Sequence, residues 1–319
     1  MSVNQGKVVI IGTSNVGSAV LNKIADFQLA SEIALIDLNM DLARGEALDT
    51  SHAMSSPYST NIKIHPGTYE DCRDAAFIVI TAGPSILPGE TPDRLKLAST
   101  NTKIMRSIFG EIVKYTKEAM IIMITNPLDV ATYVVSTEFD YPRAKILGTG
   151  TMLETYRFRY ILAQHYDIDP KNIHGYVLGE HGNDAFVAWS TVNCAGLGIE
   201  HLDEYFHYTE RLDRKAVEQE LIQTAYDVIN LKGFTNTGIA MVACRFIKAI
   251  LYNEHTILPC SAVLEGEYGM RGVGLSIPRM ISRDGIVRSF EVRLPKDEME
   301  KLQGAERSVR SALDGAGVQ

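Results

Sequence analysis

The chain has 319 residues, is 45% hydrophobic and 22% charged, and carries a formal net charge of −8. That length exceeds one typical hydrophobic core and predicts two lobes. The acidic balance would repel a phosphate backbone and no basic, aromatic-interleaved stripe offsets it, which argues against a nucleic-acid groove.

Read in order, the N-terminus is short and polar without a signal-peptide layout, and no apolar run reaches the roughly 18 residues of a membrane span. A soluble, cytoplasmic chain is expected. Its four cysteines (Cys72, Cys194, Cys244, Cys260) are too far apart for a zinc or disulfide pattern. They are expected as reduced, buried thiols, with no metal. Lys7 to Ile11 is a continuous β-branched run, as in a strand buried on both faces. It leads into Gly12-Thr13-Ser14-Asn15-Val16-Gly17 and an amphipathic helix to about Phe27. A second apolar run, Ile33 to Ile36, ends in Asp37, 25 residues after Gly12. Strand, glycine turn, helix, strand and acid is the dinucleotide-binding βαβ layout. The helix N-terminus offers amides to a pyrophosphate and the acid accepts from a ribose diol. A carboxylate there repels a 2′-phosphate, so NAD is expected over NADP. The alternative is a tight packing turn in an ordinary α/β domain, because Ser14 stands where the middle glycine of the fingerprint belongs.

Asp41 to Met54 reads as a helix with Leu42, Leu48 and Met54 among its apolar positions. Ile62 to Ile64 and Phe77 to Ile80 read as strands. From Thr81-Ala82-Gly83 to Arg94 the chain holds three prolines and two glycines, a long loop at the carboxyl end of a strand, where open parallel sheets bind ligands. Leu95 to Tyr115 is helical, Met120 to Ile124 a buried strand, and Thr125-Asn126-Pro127 precedes a helix from about Leu128. In that reading Asn126 caps the helix, with Pro127 at its first position. A sixth apolar piece, Lys145 to Leu147, closes a doubly wound parallel sheet, a Rossmann domain over residues 1–149.

An α+β catalytic domain is expected over 150–319. Met152 to Tyr166 is a helix carrying Glu154, Arg157 and Arg159. Ile173 to Leu178 and Ala185 to Val192 read as a hairpin around Gly179-Glu180-His181-Gly182-Asn183. Arg211 to Leu231 and Thr237 to Leu251 are helices, Ile257 to Leu264 a strand, and Lys296 to about Leu313 a last helix. His181, beside glycines just past a strand, is open to a ligand. Its ordinary pKa of roughly 6.5 lets it give and take a proton near neutrality. A surface turn that happens to hold a histidine is the bland alternative.

Gly12–Gly17 with Asp37, Thr125-Asn126-Pro127-Leu128-Asp129, Gly148-Thr149-Gly150-Thr151, Arg157-Phe158-Arg159 and Gly179-Glu180-His181-Gly182 stand in the order that the L-lactate/malate dehydrogenase family shows. The resemblance runs nearly end to end. It is greatest to the bacterial L-lactate dehydrogenase branch, with features similar to L-2-hydroxyisocaproate dehydrogenases. It implies hydride transfer between NADH and a 2-oxo acid. In that reading His181 is the proton donor, Glu154 its acid partner, and Arg94 polarises the carbonyl as the lid closes. Arg157 holds the carboxylate bidentately, with Asn126 and Thr235 in the pocket. Gly12, Ser14, Asn15, Val16, Gly17, Asp37, Thr81, Ala82, Gly83, Asn101 and Thr125 would face the cofactor. The resemblance further implies a homotetramer, or a dimer. It also implies a fructose 1,6-bisphosphate site between subunits at Arg159 and His174, unless these serve packing alone.

Three departures from the family pattern carry expectations. Ser14 for glycine is expected to weaken or reshape cofactor binding. Glu154 for the usual aspartate is expected to reduce activity or shift its pH dependence. The lid is about two residues longer, and its specificity position falls on Ile86 beside Leu87, with no cation between Pro84 and Asp93. A dicarboxylate would bring an unpaired charge there. A small monocarboxylic 2-oxo acid is therefore expected, pyruvate first, with 2-oxoisocaproate and phenylpyruvate as bulkier alternatives. Competing readings are another Rossmann enzyme and a catalytically weak NAD(H) sensor.

Overall fold

The computed structural model describes residues 6–84 and 94–318, with the backbone alone at 94–96. Strands and helices alternate through the first half: β1 (Lys7–Ile11), α1 (Asn15–Asp26), β2 (Glu32–Ile36), α2 (Met40–Ala53), β3 (Lys63–Pro66), β4 (Ala75–Ile80), α3 (Arg94–Ile112), β5 (Met120–Met123), α4 (Leu128–Thr137) and β6 (Ile146–Gly148). These strands are parallel in the order β3-β2-β1-β4-β5-β6. Val8, Ile10, Ile33 and Leu35 pack on one face of the sheet with Val20, Leu21 and Ile24 of α1. Val9, Ile11, Ile78 and Ile80 pack on the other with Met105 and Phe109 of α3 and Val135 of α4. Both faces are covered, so the strands read as unbroken apolar runs.

The second half contains α5 (Met152–Tyr166), β7 (Ile173–His174), β8 (Val177–Gly179), β9 (Ala185–Val187), β10 (Asn193–Cys194), β11 (Leu197–Gly198), α6 (Ile199–Tyr205), α7 (Arg214–Lys232), α8 (Thr237–Leu251), β12 (Thr256–Glu265), β13 (Arg271–Ser282), β14 (Gly285–Ser289) and α9 (Lys296–Gly315). The sheet continues across the chain's midpoint. β12 pairs antiparallel with β6 at Ser261↔Gly148, and β13, β8 and β9 follow in order. Ile239, Val242 and Phe246 of α8 enter the same core as α1. That packing holds the second half against α1 of the first. No single described helix is long and apolar enough to cross a membrane.

The helix expected over Asp41 to Met54 is present; of its apolar positions Leu48 is 61% exposed, and α2 buries Ala43, Ala47 and Thr50. Small side chains let that helix lie close to the sheet. The run from Ile173 to Leu178 is two strands, parted at Gly175 (φ +145°). β7 joins a three-stranded sheet with β10 and β11, while β8 joins the main one. Only Ala185–Val187 of the second expected strand pairs with β8. The strands β13 and β14 had no counterpart in the sequence reading. The four cysteines are buried and unpaired, as expected.

Candidate active site

Each strand of the parallel sheet ends on the same edge, and there the sequence changes from apolar to polar. At the end of β1, Gly12 takes φ +95°, and a Cβ on it would lie 2.7 Å from the Ala82 nitrogen. A Cβ on Gly17 would lie 1.9 Å from the Gly12 carbonyl oxygen. Only glycine permits so close a turn into α1. Thr81 closes it from β4, its hydroxyl donating to the Gly12 carbonyl at 2.7 Å. Ser14 is the N-cap residue of α1 at φ −71°, with no capping hydrogen bond from its side chain. Glycine's freedom is therefore not required at that position. Asp37, at the end of β2, accepts from the Thr13 amide and hydroxyl (2.7 and 3.1 Å) and from the Asn39 amide (2.9 Å). A cleft of about 270 Å³ opens here, lined by Thr13, Ser14, Asn15, Ser18, Leu42, Glu46 and Asn236. Val16 turns inward and packs on the core beneath.

Further along the edge, Thr125 donates to the Ala82 carbonyl at 2.8 Å. Asn101 reaches from α3 to the carbonyls of Pro84 and Asn126. Its Oδ1 is buried without a partner, as is the Thr235 hydroxyl in the turn before α8. Such orphaned buried acceptors and donors are costly unless something else meets them. Gly83 completes the strand end at φ +144°. The peptide Asn126–Pro127 is cis, Pro127 itself is the N-cap residue, and α4 starts at Leu128. The expected capping by Asn126 is thus not made, and its side chain is exposed.

The β8–β9 hairpin delivers His181 to this edge. Its Nδ1 lies 2.9 Å from Oε1 of Glu154 on α5. The two are close but not aligned as a hydrogen bond, and the other Glu154 oxygen is buried without a partner. The His181 amide donates to Oδ2 of Asp129 at 2.7 Å. Asp129 also accepts from the Ser261 hydroxyl. Burial alone would lower the His181 pKa, but the Glu154 and Asp129 carboxylates outweigh it and hold the imidazole up at about 9. Burial would likewise raise Glu154, yet His181 and Arg157 bring it below the ordinary carboxylate range. Burial pushes Asp129 up to about 6, against its bonds to Ser261 and His181. Burial also lowers Arg157, opposed by Glu154. The Arg157 guanidinium makes no hydrogen bond with a described residue, which leaves its fork open.

His181, Glu154 and Arg157 are therefore brought together. Arg94 begins α3 on the same edge, but its side chain lies outside the described residues, as do Ile86 and Leu87 entirely. Arg159 stands one turn from Tyr156 on α5 and donates to the Gly175 carbonyl at 3.1 Å, beside exposed His174. Two residues near the site escaped the sequence reading. Asp129 sat inside a quoted motif without a role. Asn236 donates to the Asn15 carbonyl at 3.3 Å while accepting from Lys232, and so joins α8 to the glycine turn. Neither carries a sequence signal, because each reaches a main-chain group of a segment distant in the chain. Glu32, His65 and Asp71 could in geometry hold a metal. Lys7, however, pairs with both acids at 3.5 and 3.4 Å, so a cation of the chain already serves them.

Comparison with known proteins places this geometry. Residues 6–148 match the family model for the lactate/malate dehydrogenase NAD-binding domain, and residues 151–316 that for its alpha/beta C-terminal domain. The chain is 76% identical to an L-lactate dehydrogenase of Selenomonas ruminantium, over 99% of both chains. It is 49% identical to L-lactate dehydrogenase 2 of Clostridium acetobutylicum, over 99% of this chain and 98% of that one. The crystal structure of a minor L-lactate dehydrogenase from Enterococcus mundtii in ligand-bound form superposes with a TM-score of 0.91 at 35% identity, covering 97% of each chain. On its sequence, its fold and the arrangement at the sheet edge, the chain belongs to the lactate/malate dehydrogenase family.

Proposed function

We propose that the chain is an NAD-dependent oxidoreductase interconverting pyruvate and L-lactate, with its catalytic lobe beginning after residue 149. The observation that carries the reading is the His181–Glu154 pair with an uncommitted Arg157 beside it. The cofactor fits the residues present: glycines at the close turn, a 12-residue helix pointing its N-terminus at the cleft, and buried polar atoms at Asn101 and Thr235 that lack partners. Asp37 favours NAD over its 2′-phosphorylated form. Bound NADH supplies the hydride that reduces the carbonyl.

The chain's own residues do the rest. Arg157 clamps the substrate carboxylate through two parallel N–H donors. His181 turns Nδ1 to Glu154, which leaves Nε2 to give its proton to the nascent alkoxide and to take it back from lactate. With a pKa near 9 the imidazole is protonated at neutrality, the state that reduction needs. Glu154 holds the ring's tautomer and stabilises the imidazolium. Arg94, Asn126, Thr235 and the Ile86–Leu87 segment complete the pocket, and the cation-poor lid disfavours a second carboxylate. Four buried thiols suit a reducing cytoplasm. Arg159 beside His174 supports a bisphosphate site in a homotetramer.

The test is NADH consumption with pyruvate, oxaloacetate, 2-oxoisocaproate and phenylpyruvate, with and without fructose 1,6-bisphosphate. Pyruvate is expected to be turned over fastest, with an apparent requirement lowered by the bisphosphate. NADH binding without turnover of any acid would leave a sensor and remove the enzyme reading.

A further inference from the structure

We propose that Asp129 is a positioning residue for His181, holding the main chain of its turn against α4 and β12 and supplying a second negative charge to the imidazolium. The inference rests on the reading of His181 as proton donor. Asp129 is 2% exposed, and both its oxygens are used: Oδ2 takes the His181 amide at 2.7 Å and Oδ1 the hydroxyl of fully buried Ser261. Three elements therefore meet on one carboxylate. Ser261 is also the residue at which β12 joins β6, so the anchor is a stiff part of the sheet.

Two hydrogen bonds alone do not call for a charge. A neutral amide would satisfy both, and burying a carboxylate is costly. The charge has a use because of its neighbours. Arg157 on α5 adds a cation to that of His181, and only Glu154 on the same helix opposes them. With Asp129 from α4 the four charges balance; without it the cluster is net positive. Arg279 on β13 and the Cys260 thiol on β12 also interact electrostatically with Asp129. Glu180 is the other ionisable group of the turn itself. Glu154, 2.9 Å from Nδ1, is the larger of the two negative influences, and Asp129 adds to it.

Asp129→Asn keeps an acceptor for the His181 amide, and its own amide can donate to Ser261 Oγ, so the shape persists while the charge goes. Two readouts are compared in the full-length protein: the alkaline limb of kcat/KM for pyruvate reduction, and the His181 imidazole titration by NMR, assigned with His181→Gln. Both are expected to move to lower pH by about one unit, with NADH affinity and the unfolding midpoint near those of the parent. Ser261→Ala is expected to move them the same way by less, and it decides the matter if Asp129→Asn does not fold. An unchanged His181 titration in whichever variant folds overturns the proposal. A shifted titration in a parent that never turns over pyruvate would uphold the positioning and remove the proposed activity instead.

Discussion

His181 sits among two carboxylates and a guanidinium, and its proton affinity is set by their sum. Glu154 is the largest attraction opposing burial. Replacing it by glutamine removes a charge at nearly constant volume, so the imidazole should release its proton at lower pH. With His181 as the proposed proton donor, pyruvate reduction should be present below the His181 pKa and lost as pH rises through it. In the parent that loss is expected around pH 9, with lactate oxidation rising over the same interval. In Glu154→Gln both crossings should move down by at least about one unit, read from pH–rate profiles in each direction. Glu154→Asp should shift them too, since the shorter arm changes the 2.9 Å approach; coincident profiles would remove any role for the longer side chain. Ser14 is a different case. Its backbone is in an ordinary region, so Ser14→Gly should change the NADH dissociation constant by no more than a few-fold and stability by a few tenths of a kcal/mol. Fluorescence titration checks this, and a tenfold tighter complex would show that the hydroxyl obstructs the cofactor. Glu154 and Arg157 were assigned only because a familiar order of motifs named them. Asp129 could not be, because one partner is an amide that every residue possesses and the other, Ser261, lies 132 residues away in the chain.

At the scale of elements, β1, β4 and β5 were legible because burial on both faces leaves an uninterrupted apolar run. β13 was not. It carries Gly272, Gly274 and Pro278, residues that argue against a strand, and Arg279 interrupts the inward series Val273, Leu275, Ile277. The reason for that composition lies in its neighbours. Arg279 is 1% exposed, and its guanidinium donates to the carbonyls of Cys260, Leu275 and Ala262 across β12 and β13. A planar fork with several donors suits three carbonyls; an ammonium on a flexible stem does not. Arg279→Lys is therefore expected to lower unfolding free energy by about 2 kcal/mol, and Arg279→Ala by more, since each stranded buried carbonyl costs about 1–3 kcal/mol. Urea unfolding of the two variants measures both. Stability equal to the parent in Arg279→Ala would mean that water replaces the guanidinium without loss.

The whole molecule has two halves by sequence pattern and by family model, yet one continuous sheet and a shared core. Val20, Leu21 and Ile24 of α1 pack in the same cluster as Ile239, Val242 and Phe246 of α8. β6 and β12 are hydrogen-bonded neighbours within one sheet. Opening either half exposes apolar surface of the other, so the protomer should unfold in one cooperative step. A ligand bound only to the folded form stabilises it by an amount fixed by its concentration over its dissociation constant, about 2.7 kcal/mol at a hundredfold excess. NADH contacts expected at the glycine turn lie in the first half, but α8 and Asn236 press on that turn from the second. Adding NADH without substrate should therefore raise a single unfolding midpoint, followed together by the fluorescence of Trp189 in the second half and by far-ultraviolet circular dichroism. Phe246→Ala, at the shared core, should lower that same midpoint by the equivalent of about 3–5 kcal/mol and keep the transition single. Two separated transitions, with NADH moving one and Phe246→Ala the other, would show that the halves fold apart and that the common core contributes little to holding the site together.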